Sequence, residues 1–438
     1  MLKKLISLLM ILAMVLACSA AGADLASAKS TEPAADRGIQ FQPAGANPWP
    51  ADGTSPTTGR DFSSVEMQEM YEDGITGMFV TGKYYPIMVQ HSGYGSGVNE
   101  GAPFYGSYAD IFYEVPKESK GFTRMSMIFN DFVPKYAGAS RSIRLIHLWV
   151  RQEWNAPFFF AGMQETNPSG SKLVTSVRDQ ITALHLPSSV ESSIPWNEKV
   201  MFDALAGTKQ WLRWKYRLTP QYVNENNVLW NLAEEYNNLL GERSFEDHNH
   251  TFKFGDMPAA GDDANNVYVL WRDDVAAEHD DGGVYYFNSM YQYEPDENVY
   301  YRYLIEDLAN PENNAHLFVE QCLANENIKS VYDDPIKGGS TMTADLYPGE
   351  PITFANVIVQ YIDMDWVGKL YGYPHLTGTG NADFFMGGKH YTGVWNRNTL
   401  DDRTVFYGAD GQEISLQPGR TMIVVMDYAS SNRAVKYE

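Results

Sequence analysis

Apolar positions along this chain follow two spacings. Alternation, or short unbroken apolar runs, predicts strands at Tyr84–Val89, Ala109–Val115, Thr123–Phe129 and Ala156–Ala161. A spacing of three to four residues predicts helices. In Arg141–Gln152 the apolar positions are Ile143, Ile146, Leu148 and Val150, with Ser140 or Ser142 available as a cap. Asn227–Leu240 and His316–Ile328 read as two further helices. Beyond residue 266 the pattern is mostly strand-like: Val267–Trp271, Val284–Phe287, Met290–Tyr293, Val299–Leu304, Ile352–Ile362, Lys389–Arg397, Thr404–Phe406 and Thr421–Met426. Turn residues such as Ala409-Asp410-Gly411 separate them, as in an antiparallel meander. The expected fold class is α+β: a mixed α/β sandwich domain over residues 63–256, a turn-rich linker over 257–266 (MPAAGDDANN), and a mostly antiparallel β domain over 267–438.

The first residues do not belong to either domain. Lys3 and Lys4 precede an apolar run from Leu5 to Ala17, too short to cross a hydrocarbon layer of ~30 Å but suited to a signal sequence. The run ends in Val15-Leu16-Ala17-Cys18, similar to the lipobox of bacterial lipoproteins, although Leu16 stands where a small residue is usual. The similarity implies that residues 1–18 form a lipoprotein signal, cut before Cys18, with a lipid on the Cys18 sulfur. Ordinary secretion with cleavage after Ala21-Gly22-Ala23 is the alternative. Residues 19–62 are rich in Ala, Pro, Gly, Ser and Thr and are expected to form a flexible tether. The protein is therefore expected outside the cytoplasm, its partner on one side being the membrane.

The formal net charge of −22 repels phosphate backbones, so nucleic acid is excluded as a partner. With Cys18 lipidated, Cys322 has no cysteine to pair with; it reads as a small buried apolar residue. No HExxH, CxxC, GxSxG or P-loop spacing occurs, and Gly93, Gly95 and Gly97 do not make a dinucleotide fingerprint, so no metal or cofactor is expected. His248 and His250 are too few for a metal site.

Several segments resemble the YerB-like lipoproteins, in the same order along the chain. They are Pro86–Val89, Ala109–Glu114 (ADIFYE), Gly121-Phe122-Thr123-Arg124, Gly138–Arg144 (GASRSIR), Gly380 with Phe384, Gly388-Lys389, Thr392–Trp395 and Pro418-Gly419. The resemblance spans roughly Tyr84 to Asp427 and implies two domains with no established activity. Two family histidines are replaced here, in Phe160–Gln164 and in Arg217–Tyr222.

Asp110, Glu114, Arg124, Arg141 and Arg144, with Ser142, form the best candidate site. Asp110 and Glu114 sit four apart on one strand and share a side; Arg141 and Arg144 sit three apart on one helix face. Such a set holds a carboxylate or phosphate in guanidinium forks, or uses two acids as a glycosidase pair; a structural ion-pair network is the plainer reading. Tyr391, Trp395 and Tyr407 are on neighbouring strands, where a sugar stacks or a β-core packs. Three functions follow: a non-catalytic module binding cell-wall glycan or peptidoglycan, a wall hydrolase using Asp110 and Glu114, or an accessory partner of another envelope protein.

Overall fold

Asn356–Ile362 (NVIVQYI) and Thr421–Asp427 (TMIVVMD) are apolar at most positions, so both faces of each must be covered. They pair in parallel, Asn356 opposite Thr421 through Ile362 opposite Asp427, and every residue of both is buried. The remaining layers are arranged around them. The computed structural model describes residues 28–31, 36–43, 53–62, 71–72, 75–76, 78–79, 84–93, 102–165, 175–189, 191, 193–195, 198–205, 215–216, 228–232, 250–258, 260–272, 276–278, 284–307, 315–331, 339–427 and 433–438.

In chain order the layers comprise β1 (Lys29–Ser30), β2 (Ile87–His91), β3 (Ile111–Pro116), β4 (Thr123–Phe129), α1 (Leu145–Trp154), β5 (Phe158–Phe160), α2 (Val177–Ala183) and β6 (Met201–Asp203). Then come β7 (Asp262–Asp263), β8 (Asn266–Leu270), β9 (Ser289–Glu294), β10 (Val299–Ile305), β11 (Ala315–Leu317), β12 (Val319–Val331), β13 (Gly339–Pro351) and β14 (Thr353–Phe354). The last are β15 (Asn356–Ile362), β16 (Gly378–Met386), β17 (Lys389–Arg397), β18 (Val405–Gly408), β19 (Thr421–Asp427) and β20 (Ala434–Tyr437).

The large sheet has 11 strands in the order β6-β5-β2-β4-β3-β19-β15-β16-β17-β7, with β18 beside β17. A second sheet of 7 strands runs β1-β20-β8-β9-β10-β11, with β14 beside β10. One face of the large sheet, including Val89, Phe112, Met127, Val357 and Val424, packs on Val267, Tyr291, Tyr300 and Val435 of the second sheet. The other face, including Met88, Tyr113, Ile128, Ile358 and Ile423, is covered by Leu145, Leu148, Trp149 and Trp154 of α1 and by Val177 and Ile181 of α2. The long hairpin β12–β13 belongs to a separate small sheet.

The expected α+β class, with an α/β N-terminal half, is therefore wrong: the fold is mostly β, a multi-sheet sandwich. Among the described residues α1 and α2 are the only α-helices. α1 starts at Leu145 rather than Arg141, because residues 141–143 are extended: Ala161 N–H donates to the Arg141 carbonyl at 3.0 Å and Ile143 N–H to that of Gly162 at 3.0 Å. His316–Ile328 is strand, not helix. Distant groups satisfy its backbone: the Leu323 amide donates to the Tyr105 hydroxyl at 2.9 Å and the Gln321 amide to the Pro103 carbonyl at 3.0 Å. In the predicted helix Asn227–Leu240, Trp230–Asn231 is strand against Tyr136–Ala137, and residues from 233 lie outside the described set. The C-terminal half is not wholly antiparallel, since β15 and β19 run in parallel.

The segments expected to be loose are bound. β1 pairs with β20, and the Thr31 hydroxyl shares a hydrogen bond of 2.7 Å with Tyr361. Arg37 puts its guanidinium on the Asp383 carboxylate (2.9 Å to each oxygen) and on the Ala382 and Gly393 carbonyls. Phe41 stacks on Tyr407 at 4.5 Å. The described parts of 19–62 thus form an arm across the body, held by polar partners that a small-residue composition does not announce. In the expected linker, Asp262 and Asp263 pair with His390 and Lys389 as an edge strand. The large sheet also ignores the division near 260, because β3 pairs in parallel with β19.

The Asp383 carboxylate is fully buried and rests on Arg37 and on His390, 2.9 Å away. Removing one partner of a buried pair costs ~3–5 kcal/mol. Arg37→Ala should therefore lower unfolding free energy by about 3 kcal/mol in urea titrations, with faster proteolysis within residues 28–43.

Candidate functional site

Asp110 and Glu114 do point to the same side, but neither opens to a cavity. Glu114 accepts from the Thr123 hydroxyl at 2.9 Å and meets the Arg302 guanidinium at 3.3 Å across the two-sheet interface. Arg302 in turn donates to the Tyr291 hydroxyl at 3.3 Å and lies 4.4 Å over the Phe318 ring. Burial raises the Glu114 carboxyl and Arg302 opposes it. Asp110 accepts from the Thr57 hydroxyl at 2.7 Å and from the Asn130 and Asp131 amides at 2.9 Å. Asp131 is held in turn by the hydroxyls of Ser55, Thr57 and Thr58. Burial and the neighbouring Asp131 push the Asp110 carboxyl well above its usual range. Both acids are sealed inside the protein, with no room for a sugar between them.

The arginines are elsewhere. Arg124 is opposite Val115 in the β3–β4 register, on the face that α1 covers, whereas Glu114, opposite Met125, faces the second sheet. The sheet thus separates Glu114 from Arg124. Arg144 caps α1: its backbone N–H donates to His147 Nδ1 at 2.9 Å, and its guanidinium reaches the Ser142 hydroxyl at 3.3 Å. Burial, then Arg124 and Arg144, hold His147 well below the ordinary imidazole range. His91 falls to about 3, chiefly by burial, with the Ala102 carbonyl opposing and Arg302, Arg141 and Arg124 adding to the fall. Ser92, Ser140, His91 and His147 are buried. The sequence reading missed both histidines; the signal available was a histidine three residues after the capping Arg144.

A cavity of about 810 Å³ opens at the β6 end of the large sheet, beside α2 and the 186–189 segment. Phe160, Ile181 and Leu205 supply apolar wall, and Arg178, Glu191 and Asp203 supply charge. Asp203 is fixed by the Gly162 and Leu205 amides at 2.7 and 2.9 Å, and burial raises its carboxyl. Gly162 has positive φ (+82°) and lies between cavity and arginines: a Cβ there would come 3.0 Å from Leu205 and 3.6 Å from Ser142.

The remaining candidates are structural. Trp395 is buried and donates to the Tyr361 carbonyl at 2.8 Å; Tyr391 donates to the Pro258 carbonyl at 3.2 Å; Tyr407 is under Phe41. None presents a ring to a sugar. Cys322 is a buried free thiol pushed up by burial and by Glu320. Among the described residues no three potential ligands gather for a metal; His250 packs edge-on to Trp154, and His248 is outside the described set. Cys18, the signal residues and Arg217–Tyr222 also lie outside it.

Two variants check these assignments. Glu114→Gln strands Arg302 without its anion and should cost ~3–5 kcal/mol of stability; a glycosidase acid would instead tolerate the change with its fold intact. An unfolded histidine titrates near ~6.5, whereas folded His91 stays neutral down to about 3. Below the unfolded value the unfolded chain binds the extra proton, so stability falls as pH drops through that window. In urea titrations between about pH 6 and 4, His91→Gln should remove ~1 kcal/mol per pH unit from that loss.

Residues 98–188 match the N-terminal domain, and residues 283–423 the C-terminal domain, described as a protein of unknown function (DUF3048). The crystal structure of the YerB protein from Bacillus subtilis superposes with a TM-score of 0.54 at 14% identity, over 87% of this chain and 99% of that one. A search of curated proteins found no match. The two matched domains, in the order the family requires and together more than half of the chain, place this protein in the YerB-like DUF3048 family.

Proposed function

We propose that the mature chain is an extracytoplasmic module, anchored by lipid on Cys18, that binds a cell-wall or extracellular ligand without turning it over. The cavity beside α2 carries this reading. Its volume of about 810 Å³ falls in the range of ligand pockets, ~300–1,000 Å³. Its lining mixes apolar wall with a few charges, as ligand pockets do. That mixture suits a peptidoglycan fragment, whose sugar and peptide parts offer apolar faces, amides and carboxylates. Asp110 and Glu114 are sealed, which removes the acid pair on which a hydrolase reading depended. The lipobox-like run ending at Cys18 supports the anchor, and no described helix is long and apolar enough to cross a membrane.

Titration calorimetry of the mature protein with defined muropeptides tests the reading. Leu205 is 59% exposed at the cavity, so Leu205→Asp should spare the fold. Saturable binding that weakens tenfold or more in Leu205→Asp, ~1.4 kcal/mol, is the expected result. Absence of muropeptide or glycan binding, with recovery of an envelope protein on the same purified chain, would favour the accessory-partner function instead. Intact-mass spectrometry of native material decides the anchor: an unprocessed start with no acyl mass at Cys18 would overturn it.

A further inference from the structure

The N-terminal end of α1 holds polar groups that the fold leaves unused. His147 is fully buried, and its Nδ1 accepts from the Arg144 amide at 2.9 Å. A neutral imidazole has one lone-pair nitrogen and one N–H, so this contact puts the proton on Nε2. Among the described residues that Nε2–H has no acceptor, and the hydroxyl of Ser140, also fully buried, has no partner. His91 lies nearby, its Nδ1 accepting from the Gly93 amide at 3.0 Å, and the adjacent Ser92 hydroxyl finds no partner among the described residues. His91 pairs with Ser140 in an isolated β-bridge, which sets Ser140 at the end of β2. Buried polar groups are nearly always satisfied, so a cluster of orphans marks a place where something else binds.

The fields around the orphans have one sign. Arg124 and Arg144 both act on His147, and Arg302, Arg141 and Arg124 act on His91. The helix itself adds a positive end, because its first amides point out of the N-terminus. Imidazole N–H groups, hydroxyls, guanidinium groups and a helix N-terminus have a single complement: an anionic oxygen with several lone pairs. Arg141, Ser142 and Arg144 are only partly buried, so the site has a side open to solvent.

We propose that the N-terminus of α1 is an oxyanion site, in which His147 Nε2 and the Ser140 hydroxyl, with Arg141 and Arg144 at its mouth, take up a phosphate or carboxylate group. The assignment stands on the orphaned imidazole and serine, and it does not depend on the cavity ligand or on the lipid anchor. Gly162 separates this cluster from the cavity by little more than a side chain, so a ligand with an anionic end could span both.

The test uses the full mature protein, labelled with nitrogen-15, and inorganic phosphate as probe, with sodium chloride at matched ionic strength as control. Saturable phosphate-dependent shifts of the His147 ring signals, absent with chloride, are the expected result. Arg144→Gln and Arg141→Gln change partly exposed residues; each should weaken phosphate at least tenfold with an unchanged melting temperature in its absence. Acetate titrated in parallel separates the sources: tighter acetate points to a carboxylate ligand, tighter phosphate to a phosphorylated one, and either supports the site. His147 signals that stay in place with both anions, or shifts that Arg144→Gln and Arg141→Gln leave undiminished, would overturn it.

Discussion

The parallel pairing of β3 with β19 is the constraint on which the molecule is built. Ile111 to Glu114 lie against Thr421 to Val424, more than three hundred residues away in sequence. Once that ladder forms, the two family domains share one sheet, and the strands outside it have a template to extend. The arrangement also explains why the central strands are so apolar. With α1 on one face and the second sheet on the other, β15 and β19 have no wet side on which polar residues could sit. Parallel, long-range pairing is slow to form, since loop closure must precede any gain from the contacts.

Strands with strong alternation were legible from local pattern alone. Thr123–Phe129 and Lys389–Arg397 appear with the expected limits, since their side-chain periodicity and their turns agree. His316–Ile328 misled because its apolar spacing also fits a helix, and the groups that hold it extended, Tyr105 and Pro103, are two hundred residues away. The acid pair was half legible. Period-two geometry put Asp110 and Glu114 on one side of a strand; no local signal said that Arg302 and the Ser55–Thr58 segment would cover them. Trp395 shows the same limit: a ring between Gly393 and Asn396 can face sugar or core, and only the Tyr361 carbonyl behind it settles which.

Charge in this protein is sorted by the sheet. Anions on the inner side are neutralised at once, Glu114 by Arg302 and Asp110 by hydroxyls and amides. Arg124 and Arg144 instead lie on the helical side, where, after burial, they depress His147 together. An acidic chain of net charge −22 thus keeps a positive spot near the cavity beside α2. His147, neutral and buried in such a field, stays uncharged down to acidic pH, so it presents a fixed N–H rather than a titrating group.

The arm that begins at Lys29 changes what an N-terminal anchor would permit. A free segment as long as residues 19–62 would reach ~150 Å at full extension. With Lys29 fastened to Tyr437, the leash from Cys18 shrinks to eleven residues, at most ~40 Å. That is about the thickness of one bilayer with its headgroups, ~40–45 Å. Were the chain moored at Cys18, its body would be held within that distance of the membrane surface.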